Sequence, residues 1–186
     1  MTKKYKLTDK TINRLGRTLY QIEAIKDFGS ISIGDIGGYV EKEDNLDHDG
    51  DAWVSGDAWV SGDAWVYGNA RVYGDAQVYG NAWVSGDAWV YGDAQVYGNA
   101  RVYGNARVSG DARVLLLSNI GSDNGTLTIY KTKEGVELTR GCFRGSLEEF
   151  ESAVEKTHGN NKHGLIYKAA IELVKVKFAD YLNTED

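Results

Sequence analysis

Cys142, His158 and His163 fall within one short stretch of this sequence, and their side-chain types invite a chemical reading. A cysteine beside a histidine is the raw material of a thiolate nucleophile, and one cysteine with two histidines supplies three of the four ligands of a structural zinc site. Neither set is complete. No acid or amide stands at a spacing that would finish a triad, and no fourth ligand is at hand. His158 falls in the last turn of a predicted helix, where a ring that can be positive answers the helix dipole. His48 precedes the repeats and is read as structural. Asp57, Asp75, Asp93 and Asp111 recur every eighteen residues. A carboxylate column is calcium chemistry in principle, but Asn replaces Asp at the other equivalent corners, so each Asp is read as the cap of its own turn. The sequence assigns no catalytic residue, no metal ligand and no cofactor.

Two other groups of residues are candidates for binding. Residues 126–178 carry net +2 in a chain of net −6. Within them Arg140, Arg144, Lys162, His163 and Tyr167 are a candidate set for a small anionic ligand. The helix start at Ser146-Leu147-Glu148-Glu149 would add free backbone N–H groups. The expected place is a junction with the repeat region or with another protomer, because a flat sheet face lacks concavity. The competing reading pairs Arg144 with Glu148 or Glu149 and leaves Lys162 and His163 solvating a loop. The second group is a candidate oligomer interface: Trp53, Arg71, Tyr73, Trp89, Tyr91 and Arg107 all face outward in the reading below. Trp, Tyr and Arg are the residue types that dominate binding energy at interfaces. The alternative is ladder stabilisation through stacked aromatics and cation–π contacts.

The elements that carry these residues are unusually legible. From Gly50 to Leu115 the chain reads Gly-(Asp/Asn)-Ala-x-Val-(Ser/Tyr) eleven times without interruption. Ala and Val, two apart, share one face of an extended strand, and x and Ser/Tyr share the other. The Gly-Asx pair is turn chemistry. Each hexad is therefore a short strand and a corner, with Ala and Val inside and residues eighteen apart stacked in columns. Those columns are Trp53, Arg71, Trp89 and Arg107; Trp59, Gln77, Gln95 and Arg113; and Trp65, Trp83 and Arg101. Before the repeats, 18–25 and 30–33 read as strands about a turn at 27–29, with an irregular coil opening at Gly34. After them, 126–140 reads as a hairpin. A capping box at Ser146 starts a helix that Gly159 ends, and a second helix spans about 164–179. Leu127, Val136, Phe150, Ile171 and Val174 are the expected core of this last region. The fold class is mainly β: an N-terminal β cap (1–49), a parallel β-helix (50–117) and a small C-terminal ββαα domain of α+β type (118–186).

The uninterrupted hexads resemble the hexapeptide-repeat superfamily. That likeness implies a left-handed β-helix with three hexads to a coil, and a homotrimer as the expected assembly. Many members are acyltransferases using acetyl-CoA or acyl carriers, and others are carbonic anhydrases with zinc on three His. Both need a His from a coil, and residues 50–115 contain none. The stretches Gly34-Asp35-Ile36-Gly37-Gly38-Tyr39-Val40 and Gly141-Cys142-Phe143-Arg144-Gly145-Ser146 resemble a group of phage and prophage proteins. The likeness implies an accessory protein that counters host defence by sequestering a nucleotide-type signal or binding a host protein. The expected function is thus a non-catalytic, oligomeric binding protein. The alternatives are an acyltransferase with an unrecognised site, or a structural or glycan-contacting virion component.

Composition narrows the partners. No segment has the positive excess that phosphate-backbone binding requires, which argues against nucleic acid as the main partner. No apolar run of membrane length occurs, and a single cysteine fits a reducing compartment, so the expected location is the bacterial host cytosol.

Overall fold

The computed structural model describes residues 2–104, 106–109, 114–123, 125–132 and 135–182. It divides into two compact units, Met1–Arg113 and Val114–Asp186. The fold is mainly β, with a β-solenoid in the first unit and a sheet with three helices in the second.

The solenoid is built from ten short strands: β4 (Trp53–Val54), β5 (Trp59–Val60), β6 (Trp65–Val66), β7 (Arg71–Val72), β8 (Gln77–Val78), β9 (Trp83–Val84), β10 (Trp89–Tyr91), β11 (Gln95–Val96), β12 (Arg101–Val102) and β13 (Arg107–Ser109). They pair in parallel at a constant separation of eighteen residues: Trp53 with Arg71, Arg71 with Trp89 and Trp89 with Arg107 on one face. Trp59 pairs with Gln77 and Gln77 with Gln95 on the second, and Trp65 with Trp83 and Trp83 with Arg101 on the third. The columns therefore run as the repeat predicts; the expected places of Arg113 and Asp111 lie outside the described residues. Ala52 to Ala106 and Val54 to Val108 fill the interior and are essentially inaccessible. The corners need glycine: every one from Gly50 to Gly104 has φ between +61° and +74°, where a Cβ is costly.

The N-terminal segment is a true lid on the first coil. β1 (Tyr5–Arg14) and β2 (Arg17–Ala24) form an antiparallel hairpin, and β2 pairs with β3 (Ile36–Val40), which pairs in parallel with β5. One six-stranded sheet thus runs β1-β2-β3-β5-β8-β11. Two expectations are corrected. Residues 30–33 are not a strand, since only an isolated Phe28–Ile31 bridge forms there. The strand lies at 36–40, where an irregular coil was expected. Glycine is what allows it: a Cβ on Gly38 would sit 2.5 Å from Ala58 O and 2.9 Å from Val54 Cγ1.

In the second unit, β14 (Leu115–Ile120), β15 (Gly125–Thr132), β16 (Gly135–Arg140) and β17 (Phe143–Ser146) form an antiparallel sheet in sequence order. The expected hairpin is its centre. Leu115 belongs to the first of these strands, not to the outer surface of an eleventh hexad. Helices α1 (Leu147–His158), α2 (Lys162–Lys177) and α3 (Ala179–Leu182) follow. Ser146 and Glu149 form the capping box of α1, Gly159 ends it, and Asn161 caps α2. The region is therefore four strands and three helices rather than ββαα. Leu127, Val136, Phe150, Ile171 and Val174 all lie in its core.

Candidate functional site: an aromatic groove on the solenoid

The outward aromatics are not equivalent. Trp53 and Trp59 are each only 3 % exposed. Phe28 meets Trp53 edge-on at 5.4 Å, and Tyr5 does so at 6.4 Å. Trp59 packs with Leu19 and Tyr39 of the lid and stacks on Tyr79 at 5.5 Å. Trp53 is thus removed from the expected interface, because β1 (Tyr5–Arg14) and Phe28 return over the first coil. A basic N-terminus without an apolar run gave no sign of this. Further along the same column Trp89 is 40 % exposed. The Arg107 guanidinium lies 4.3 Å from the Trp89 ring centroid, and Tyr73 stacks on Tyr91 at 5.0 Å with the rings nearly parallel. The column is both a stabilising ladder and, at Trp89, an open aromatic surface.

The segment 30–36 overhangs this face and makes it concave. A groove of about 480 Å³ opens between Ser30, Asp35 and Ile36 above and Arg71, Tyr73 and Trp89 below. That is the size of a small-molecule site. Arg71 is its chemically distinctive member. It donates one long hydrogen bond, 3.3 Å, to Ser30 Oγ. No carboxylate lies within ion-pair distance of it among the described residues. Asp35 is otherwise engaged, accepting from the Ser32 N–H at 2.8 Å. A guanidinium without a counterion beside an exposed indole offers a ligand two things at once: an anion partner and a flat apolar face.

A larger cavity, about 690 Å³, lies along α1 and α2 beside Glu148, Glu151, Glu155, Lys168 and Glu172. Three of its four carboxylates are held in ion pairs, and Glu148 accepts from the Ser146 hydroxyl at 2.7 Å. Lys168 pairs with Glu155 at 2.7 Å, and Lys175 with Glu151 at 3.0 Å and Glu172 at 3.1 Å.

The anion set expected in the second unit does not converge. Arg140, its side chain only 10 % exposed, is bound by Asp123 and by Ile120 O at 2.8 Å. The hydrogen bond from Arg140 holds the Asp123 carboxyl below its ordinary range, and Asp123 raises Arg140. Gly121 and Gly125 close on this guanidinium: a Cβ on Gly121 would press on Tyr167 Oη and lie 2.7 Å from Arg140 Nη2. Tyr167 is 4 % exposed and belongs to the core. Arg144 reaches across to Glu137 at 2.5 and 3.0 Å, not to Glu148 or Glu149. The start of α1 is filled by its own side chains: Ser146 N–H donates to Glu149 and Ser146 Oγ accepts from Glu149 N–H. Lys162 is exposed on the first turn of α2. His163 lies 6.1 Å from His158, ring to ring, and His158 lies 5.5 Å from Tyr167. Cys142 is exposed in the β16–β17 turn. Among the described residues no group of three or more His, Cys, Asp or Glu is arranged to hold a metal, and no helix is long and apolar enough to cross a membrane.

His48 stacks on Tyr5 at 4.4 Å and accepts the Lys4 N–H at 3.3 Å. Burial lowers its pKa, with Glu43 opposing the shift. Lys4 itself is fully buried, its ammonium donating to Asp49 O and Gly50 O and lying over the Phe28 ring. These two residues fasten the lid to the first corner.

No curated protein matches the chain. Residues 64–76, 76–92 and 94–110 match the family described as YdcK Beta solenoid repeat, and with the stacked parallel strands above they make this chain a β-helix repeat protein.

Proposed function

We propose that this chain is a non-catalytic binding protein that takes a small anionic ligand in the groove beneath residues 30–36. The uncompensated Arg71 guanidinium next to the exposed Trp89 ring is the observation that carries this reading. The ligand it fits has a ring with a flat apolar face and a carboxylate or phosphate attached; a nucleotide and an acidic sugar both meet that description. Sequestration is how a protein without a catalytic constellation would act on such a molecule, which suits the counter-defence role implied by the likeness to phage proteins. Homo-oligomerisation belongs to the same reading.

The test is thermal denaturation and Trp fluorescence with nucleoside monophosphates, uronic-acid oligosaccharides and the uncharged counterpart of each. A ligand at about one hundred times its dissociation constant stabilises by about 2.7 kcal/mol. Arg71→Ala should abolish the shift with the anion, and Trp89→Ala should weaken it and remove the fluorescence change. The two ligand classes separate by which one shifts melting. A panel without any shift, or a shift that survives Arg71→Ala, defeats the proposal.

A further inference from the structure

The groove beneath residues 30–36 holds two opposite charges that do not neutralise each other. Arg71 and Asp35 both line it. Among the described residues no ion pair joins them or reaches either one. Ser30 Oγ occupies one N–H of the Arg71 guanidinium at 3.3 Å, which leaves most of its five donors open. Asp35 is fixed by its own turn: Oδ2 accepts from the Ser32 N–H at 2.8 Å, and the Asp35 N–H donates to Ser32 O at 3.0 Å. That turn uses one carboxylate oxygen, and Oδ1 has no hydrogen-bond partner among the described residues. Ile36, 56 % exposed, and Trp89 supply exposed apolar walls to the same groove.

We infer that the ligand of this groove is a zwitterion, an aromatic α-amino acid: Arg71 takes its carboxylate, Asp35 its ammonium and the Trp89 wall its ring. The inference rests on the proposed function in one respect, that Arg71 holds the anionic group, and it narrows the ligand class. Two uncompensated charges of opposite sign in one groove are answered by a molecule that carries both signs. A phosphate monoester, with about −1.5 to −2 charge, satisfies Arg71 but meets the Asp35 carboxylate as a like charge. An acidic sugar brings no cation to Asp35 either. The ammonium does not belong on the indole, because the Arg107 guanidinium already lies 4.3 Å from the Trp89 centroid, and a second cation there meets a like charge. One short turn also ties the two charges together: Ser30 holds Arg71 and Ser32 holds Asp35. Two residues span at most about 7 Å, which keeps both charges within reach of one small molecule.

Calorimetric titration of the full chain with L-phenylalanine, 3-phenylpropionate and phenethylamine separates the two charges, since the second lacks the ammonium and the third the carboxylate. L-phenylalanine should bind about tenfold or more tightly than either, the difference expected for one hydrogen bond between charged groups. Asp35→Asn keeps an acceptor oxygen for the Ser32 N–H. It should weaken phenylalanine about tenfold and leave 3-phenylpropionate unchanged or tighter. Arg71→Ala should remove binding of both acids. Circular dichroism checks that each variant is folded. Equal affinity for phenylalanine and 3-phenylpropionate, or a phenylalanine affinity indifferent to Asp35→Asn, overturns the inference and leaves the anion site standing. A nucleoside monophosphate that binds through Arg71 where phenylalanine does not has the same consequence. If neither the amino acid nor any of the anions binds, if binding survives Arg71→Ala, or if phenethylamine binds as tightly as phenylalanine, the inference and the proposed function fall together.

Discussion

Replacing Asp75 by Asn tests what holds the corners of the solenoid. Two of the three corner columns contain amides that hydrogen-bond along the stack: Asn69 Nδ2 donates to Asp87 at 3.0 Å, and Asn81 Nδ2 to Asn99 at 3.2 Å. The third holds Asp57, Asp75 and Asp93, and no side-chain hydrogen bond joins them among the described residues. Carboxylates stacked at the strand spacing of roughly 4.8 Å repel by about 0.9 kcal/mol per pair in water. Screening at physiological salt brings that to about 0.5 kcal/mol. Asp75 has two such neighbours, so neutralising it relieves about 1 kcal/mol, and the new amide adds a hydrogen bond of about 0.5 kcal/mol net. Asp75→Asn should therefore stabilise the protein by about 1 to 1.5 kcal/mol in urea denaturation at physiological salt. In about 1 M salt, where the screening length is about 3 Å, less than half of the electrostatic part should remain. Asp87→Asn is the control, because its neighbour Asn69 is already neutral. If Asp75→Asn leaves stability unchanged, or if its gain is the same at both salt concentrations, the reasoning about the column is wrong.

Other outcomes follow from the lid and from the proposal that the chain is not catalytic. Burial lowers the Lys4 pKa from 10.5 to about 8, while Asp47 and Asp51 oppose the shift. Between pH 8 and 10.5 the unfolded chain binds more protons than the folded one, so the contribution of Lys4 makes stability rise with pH across that window, by about 3 kcal/mol. Denaturation of the native protein and of Lys4→Met over pH 7 to 10.5 should show that difference closing; parallel curves would refute it. Gly38→Ala should destabilise by about 2 to 3 kcal/mol, since β3 must lift from the first coil to admit a methyl group, and proteolysis of the lid should accelerate. Incubation with acetyl-CoA and amine or hydroxyl acceptors should give no transfer. Acetyl transfer that disappears in His158→Ala or His48→Ala would restore the enzymatic alternative.

How much of this was legible in the sequence depends on how far each feature lies from its cause. The columns Trp53-Arg71-Trp89 and Trp65-Trp83 follow from a six-residue period that local turn chemistry enforces at every corner, so spacing alone places them. The α1 start was equally plain, because Ser146 and Glu149 are a local reciprocal pair. Burial of Trp53 and Trp59 was not legible. It depends on Tyr5 and Leu19 returning from strands more than thirty residues earlier in the chain, and on glycines at 37 and 38 whose only role is absence of bulk. The ion pairs of the binding candidates were hidden for a related reason. Arg140 and Arg144 looked available because a sequence shows charges but not their partners, and Asp123 and Glu137 are brought to them by strand pairing. Arg71 and Trp89 were placed on the right face, but as interface residues; the overhang of residues 30–36 that turns that face into a groove leaves no trace in the repeat.

The continuity of the six-stranded sheet sets a direction for biosynthesis. β1, β2 and β3 are made before any solenoid strand, and β3 offers its free edge to β5 while the rest of the chain is still emerging. Each strand from β7 to β13 meets its partner eighteen residues back, whatever its distance from the N-terminus. Loop closure therefore carries the same small entropy cost at each step, and it does not grow with the number of coils. The lid offers the first coil a paired edge, and each later coil offers the same edge to the next. Lengthening the repeat by whole multiples of eighteen residues preserves that pairing at every step, whereas deleting the lid exposes the edge of β5 that β3 covers.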